Sequence, residues 1–197
     1  MVARSDSQQK LESFLGIVLA GGKSSRMGED KALLNIQNKT LLEYQYEKLI
    51  SILGKQNVLV SGKYPSFKYL MDQKTELGPL GGIISVVQNF SKLNYFLFLP
   101  VDMPNISVQT LNYLIQKSQE NLESNCWTFK NYEMPLVLKN HSLLEATLVK
   151  LLEQPKSFCS VRRLCQSLDY QVIETDEFNK NEFLNANTMK EWKKACQ

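Results

Sequence analysis

An apolar run at residues 15–20, LGIVLA, stops at Gly21 and Gly22, and three cations, Lys23, Arg26 and Lys31, follow within ten residues. A short, unbroken apolar run bounded by glycine has the pattern of a fully buried strand. NVLVS at 57–61 and the aromatic YFLFL at 95–99 repeat it, and a third strand is expected at 67–71, between them. Between these runs the apolar spacing becomes helical. Helices are expected at 41–53, ending before Gly54, at 81–90, and from the N-cap Ser107 to about residue 118. Strands that alternate with helices over two-thirds of a chain predict an α/β fold. The expectation is a Rossmann-like layered sandwich, its mostly parallel central sheet flanked by helices. The last third is less regular. Strands are expected at 126–129, 136–138 and 170–173, and helices at 142–153, 161–167 and 188–195.

Right-handed crossovers bring the C-terminal ends of parallel strands to one edge, where ligands bind in such folds. Three unusual features fall on that edge. The glycine loop follows the first strand, Asp72 follows the third, and PVDMP at 100–104 follows YFLFL. Without Cβ atoms, Gly21 and Gly22 can aim backbone N–H groups at phosphate oxygens. Lys23, Arg26 and Lys31 can add charge-assisted bonds. The letters GKS at 22–24 do not make a P-loop, because the glycine needed five places before Gly22 is Ile17. GGKSSRMG also breaks the dinucleotide-binding spacing.

Composition excludes several other functions. The 197 residues are 43% hydrophobic and 22% charged, with a net charge of +3 and scattered basic residues, so nothing suggests nucleic-acid binding. No apolar run approaches the ~18 residues of a membrane span. The polar start lacks the core of a signal peptide. Residues 1–13 are expected to be a flexible leader, 14–197 a single domain, and the protein a cytoplasmic monomer. Cys126, Cys159, Cys165 and Cys196 form no CxxC, and His141 is the only histidine, so neither a zinc cluster nor a Cys-His nucleophile is supported. Free thiols and a solvent-facing histidine are expected.

The stretch LAGGKSSRMGEDKALL at 19–34 fills every position of LAGGxSxRMGxDKxLL. That signature belongs to the nucleotidyltransferases that share the molybdenum cofactor guanylyltransferase fold. GPLGG at 78–82, PVDMP at 100–104 and FLNANT at 183–188 follow in order, so the resemblance covers nearly the whole chain. It implies transfer of GMP from GTP to the phosphate of Mo-molybdopterin, with release of pyrophosphate. It also implies handover to other cofactor-assembly proteins and apo-molybdoenzymes.

The residue roles follow from the resemblance and from charge. Leu19, Ala20, Gly21, Gly22 and Lys31 are implied to contact GTP, together with Ser61, Asp72, Gly78 and Pro79. Lys31 is the candidate for stabilising charge at the α-phosphate, with Arg26 and Lys23 nearer the leaving pyrophosphate. Asp102 is the candidate Mg²⁺ ligand, joined by Asn185 or Asn187, and also lies against the nucleotide. The glycines of GPLGG are expected to let backbone approach a ligand at a helix N-terminus. Asn185, Asn187, Arg162 and Arg163 are candidates for the acceptor. Helix capping by Asn187 and a solvated face for the arginines are the alternatives. Ser61 stands where a guanylyltransferase can carry asparagine, and Met134 precedes proline where relatives often carry His or Lys. Both keep open a cytidylyltransferase on the same pterin, or a transferase for a sugar or alcohol phosphate. A non-catalytic nucleotide-binding protein is the alternative of another class.

Overall fold

The structure is a computed structural model and describes residues 11, 13–21, 30–186 and 191–192. Outside these residues lie most of the expected leader, Gly22, Lys23, Arg26, Asn187, Cys196 and the helix expected at 188–195, except for Glu191 and Trp192, which are helical.

Strand β1, Phe14–Leu19, is buried along its whole length because it runs between two parallel neighbours. After it come the two-residue strands β2, Asn35–Ile36, and β3, Lys39–Thr40, which pair as a small hairpin. Helix α1, Leu41–Leu53, starts at a reciprocal capping box. Glu43 N–H donates to the Thr40 hydroxyl, and Thr40 N–H donates to the Glu43 carboxylate. The following elements are β4, Val58–Ser61; β5, Tyr69–Leu70; α2, Pro79–Asn89; and β6, Tyr95–Pro100. Helix α3, Val108–Glu120, is capped by Ser107 as expected, its hydroxyl accepting from Thr110 N–H. Strands β7, Cys126–Phe129, and β8, Leu136–Lys139, precede α4, Ser142–Leu152, the short α5, Val161–Gln166, and β9, Tyr170–Ile173.

Seven strands form one sheet in the order β5-β4-β1-β6-β8-β7-β9. Strand β8 is antiparallel to β6 and β7, and the other pairs are parallel. The mostly parallel α/β sandwich is therefore the observed fold. Alternate residues of the strands feed two cores. Phe14, Val18, Val60, Leu97, Leu99 and Trp127 face the side of α1 and α3. Ile17, Leu59, Phe96, Phe98 and Leu138 face α2, α4 and α5. This is the period-two geometry of a sheet covered on both faces.

Two expectations need correction. The third strand is shorter than residues 67–71, because only Tyr69 and Leu70 pair with β4. His141 is not simply solvent-facing. It caps α4, its Nδ1 accepting from Leu143 N–H at 3.2 Å, and its Nε2 is buried without a partner. Burial and nearby Lys139 hold its pKa below the ordinary value. Cys126, Cys159 and Cys165 are free thiols.

Candidate active site

The site forms where β1, β4, β5 and β6 end. Leu19 closes β1 with its side chain in the core, and its carbonyl accepts from Val101 N–H at 3.0 Å. The next two amides, of Ala20 and Gly21, both donate to the Ser61 carbonyl, at 3.0 and 2.8 Å. The expectation that the Gly21 amide is aimed at a ligand is therefore corrected. The backbone leaving β1 stays tied to the last residue of β4, and the ladder takes that donor. Ser61 itself is 1% exposed and serves the site through its carbonyl.

The loop returns at Asp30. Its carboxylate accepts from Ala32 N–H at 3.0 Å, capping a 3-10 turn at Lys31–Leu33, and from the Tyr64 hydroxyl at 2.8 Å. The same hydroxyl also lies 3.3 Å from the Ala20 carbonyl. Tyr64 thus joins the two ends of the signature loop. Burial, then the Asp30 carboxylate, raises its pKa.

This turn presents Lys31, whose Nζ lies 3.7 Å from Asp102 Oδ2. The two side chains are 16% and 24% exposed, so the pair is shielded but reachable. Asp102 leaves β6 beside the buried Val101. Burial pushes its carboxyl above the usual range, nearby Lys31 opposes this, and Glu191 adds to it. Such a carboxylate gains from a further cation.

Asp72 lies over the first turn of α2. Its Oδ1 accepts from Lys74 N–H at 2.7 Å and lies 3.5 Å from Ser85 Oγ. The GPLGG glycines act differently from the expectation. A Cβ on Gly81 would stand 2.2 Å from the Lys74 carbonyl and 2.9 Å from both Asp72 carboxylate oxygens. One on Gly82 would stand 2.7 Å from Ser61 Oγ. These two glycines let α2 settle on the chain's own loop and on β4; they do not open the backbone to a ligand. Gly78, just before Pro79, has φ +57° and faces open space, so it alone keeps a place in the expected ligand-facing surface.

The Asp102 carbonyl accepts from Ala186 N–H at 2.8 Å. That bond brings Asn185 to the same edge. Arg162 lies farther along it. Its Nε donates to Glu133 at 2.9 Å beside a cavity of about 210 Å³ lined also by Thr128, Tyr132 and Tyr170. Strand β7, which leads to this cavity, stands two strand positions from β6, about 10 Å away. Arg163 lies over the Phe158 ring.

Among the described residues, no three His, Cys, Asp or Glu side chains gather as a metal cage. A single carboxylate fits Mg²⁺, which takes one or two carboxylates and leaves its remaining positions to water and phosphate oxygens. It does not fit a metal that needs a full set of protein ligands.

Sequence reasoning missed Tyr64 and Glu191. Tyr64 carried a signal, as an aromatic three residues beyond the end of β4, whereas Glu191 lies in the irregular final third.

The MobA-like NTP transferase domain family matches residues 16–175. A molybdenum cofactor guanylyltransferase from Xanthomonas euvesicatoria pv. vesicatoria is 37% identical over 179 residues, spanning 91% of this chain and 92% of that protein. A probable molybdenum cofactor guanylyltransferase from Bacillus cereus strain Q1 is 27% identical, spanning 94% and 96%. The molybdopterin-guanine dinucleotide biosynthesis protein A of Archaeoglobus fulgidus superposes with a TM-score of 0.71 at 19% identity, covering 92% of this chain and 96% of that one, and so shares the fold. Taken with the Lys31–Asp102 pair at the strand ends, the match over most of the sheet shows that this chain belongs to the MobA-like NTP transferase family.

Proposed function

We propose that this protein transfers GMP from GTP to the terminal phosphate of Mo-molybdopterin, releasing pyrophosphate, in the cytoplasm. The observation that carries the reading is the shielded Lys31–Asp102 pair, 3.7 Å apart, at the end of the signature loop. The 37% identity to a molybdenum cofactor guanylyltransferase supports the choice of substrates.

In the reaction a phosphate oxygen of the acceptor attacks the α-phosphorus of GTP in line. The bond from the α-phosphorus to the bridging oxygen breaks, and pyrophosphate leaves with its electron pair. Both partners are anionic, so alignment and charge neutralisation are the enzyme's main tasks. Lys31 donates to the α-phosphate oxygens as negative charge builds there. Arg26 of the signature loop meets the departing pyrophosphate. Asp72, Gly78 and Pro79 border the nucleotide beside Ala20 and Gly21. Asn185 offers an amide to the acceptor or to the metal edge, and Arg162, freed from Glu133, can reach an anionic acceptor group. Asp102 would hold Mg²⁺, which neutralises phosphate charge and orients the displacement when bound.

The test is pyrophosphate release with Mg²⁺ and Mo-molybdopterin, offering GTP, CTP and ATP separately. Release with GTP alone is expected. Release with CTP instead moves the protein to a cytidylyltransferase, consistent with serine at position 61. Binding of GTP without release under any condition makes it a nucleotide-binding protein.

A further inference from the structure

Three segments far apart in sequence meet beneath Asp102, joined by polar side chains from α1 and from the segment before Ala186. Lys48 of α1 donates from Nζ to the carbonyls of Pro104 and Ile106, at 2.7 and 2.8 Å. One turn earlier on the same helix, the fully buried Gln45 donates from Nε2 to the Met103 carbonyl at 2.6 Å. From the other side, the Glu182 carboxylate accepts from Ser107 N–H at 2.9 Å and from the buried Thr110 hydroxyl. Glu182 is also close enough to Lys48 to favour its charged form. The loop from β6 to α3 is therefore held by its backbone, and Asp102 is its functional side chain. The Ala186 amide on the Asp102 carbonyl completes the enclosure.

We propose that Lys48, acting with Glu182, is a positioning residue that holds the 100–107 loop so that Asp102 faces Lys31 and the nucleotide. The proposal rests on the reading of Asp102 as part of the reaction centre. Lys48 bonds loop carbonyls, and Glu182 bonds the Ser107 amide and the Thr110 hydroxyl. A half-buried ammonium spanning two loop carbonyls is an expensive way to stabilise a fold, since an apolar side chain in an apolar setting would avoid the desolvation. It does give a loop a single position. The two carbonyls it serves are separated by one residue, so holding both restricts the loop. A shift of about 1 Å at Asp102 can cost about a hundredfold in rate.

The experiment uses the full chain and compares Lys48→Met, Lys48→Arg and Glu182→Gln with the parent. Backbone hydrogen exchange is read by mass spectrometry, and steady-state kinetics with GTP and Mo-molybdopterin by pyrophosphate release. Lys48→Met is expected to speed exchange about tenfold in peptides covering residues 100–107 and 182–186, with β1 and β4 peptides unchanged. It is expected to lower kcat about thirtyfold while KM for GTP stays within about threefold. Lys48→Arg keeps donors and charge and should recover most of both losses. Should Lys48→Met fail to fold, Glu182→Gln provides the reading, with the same local exchange and a smaller drop in kcat. Unchanged exchange in residues 100–107 overturns the proposal. Exchange that rises equally in every peptide, or locally with kcat unaltered, also overturns it. Asp102→Asn is assayed alongside. Full activity there would refute the assigned role of Asp102, while the exchange data would still decide whether Lys48 holds the loop.

Discussion

At the scale of single residues, the consequences centre on Asp102 and Lys31. Burial raises the Asp102 carboxyl above its ordinary value, and this outweighs the help from Lys31. The folded state therefore holds its proton to higher pH than the unfolded chain does. Such a group is fully compatible with folding at low pH, and its contribution is lost as pH rises through the folded value. Burial of this carboxyl is a cost to the fold once it ionises. Asp102→Asn is expected to raise the melting temperature at pH 7 and to lower turnover about 10²–10³-fold, checked by thermal denaturation beside a pyrophosphate assay. On the proposed role of Lys31 at the α-phosphate, Lys31→Met removes the donor that would meet the developing charge. It should lower kcat by about 10²–10³ while the fold, read by far-UV circular dichroism, stays intact. Retention of activity in either variant would remove the pair from the reaction centre.

At the scale of elements, the N-terminal turn of α2 depends on close contact with its neighbours. The carbonyl of Lys74 and the Asp72 carboxylate occupy the space where a side chain at 81 would stand. A backbone carbonyl cannot swing aside as a long side chain can. Gly81→Ala is thus expected to destabilise the protein by about 2–3 kcal/mol in urea unfolding. It should also weaken GTP binding through displacement of Asp72. By contrast, nothing stands within 4 Å of a Cβ at Gly78, and its backbone, φ +57° and ψ −138°, is what resists substitution. Gly78→Ala is expected to cost about 1–3 kcal/mol through backbone strain, with Asp72 left in place. A larger loss at 78 than at 81 would mean that the helix turn, rather than the packing, sets the geometry.

At the scale of the whole molecule, Lys48 links α1 to the loop below the site and to the segment carrying Glu182. Its burial brings the ammonium down to about 8 from an ordinary 10.5, with Glu182 acting in the opposite direction. Between those values the unfolded chain binds more protons than the folded one, so this group makes stability rise with pH across the window from about 8 to 10.5. Below pH 8 its full penalty, about 3 kcal/mol, is present. Lys48→Met should flatten the pH dependence of unfolding free energy in that window, as read by urea titrations at a series of pH values. An unchanged slope would show that another group carries it.

Much of this architecture could be read from the amino-acid order. The apolar runs that became β1, β4 and β6, and the cap at Ser107, are set by local periodicity and by side chains reaching their own neighbours. Strand polarity puts the ends of β1, β5 and β6 on one edge, and together with the family signature it points to Lys31, Asp72 and Asp102 there. The third strand was overestimated because a terminal strand, paired on one side only, has a weak pattern. The glycines at 81 and 82 were misread because their need is steric and arises from a loop and a strand that only folding brings close. Lys48 and Glu182 are separated by more than a hundred residues, and no period in the chain connects them. The sequence determined the sheet, its edge and the charged residues placed there. Only the tertiary structure decided which backbone amides remain available, why the glycines are present, and which buried polar groups hold the Asp102 loop, because each depends on distances between segments that are remote along the chain.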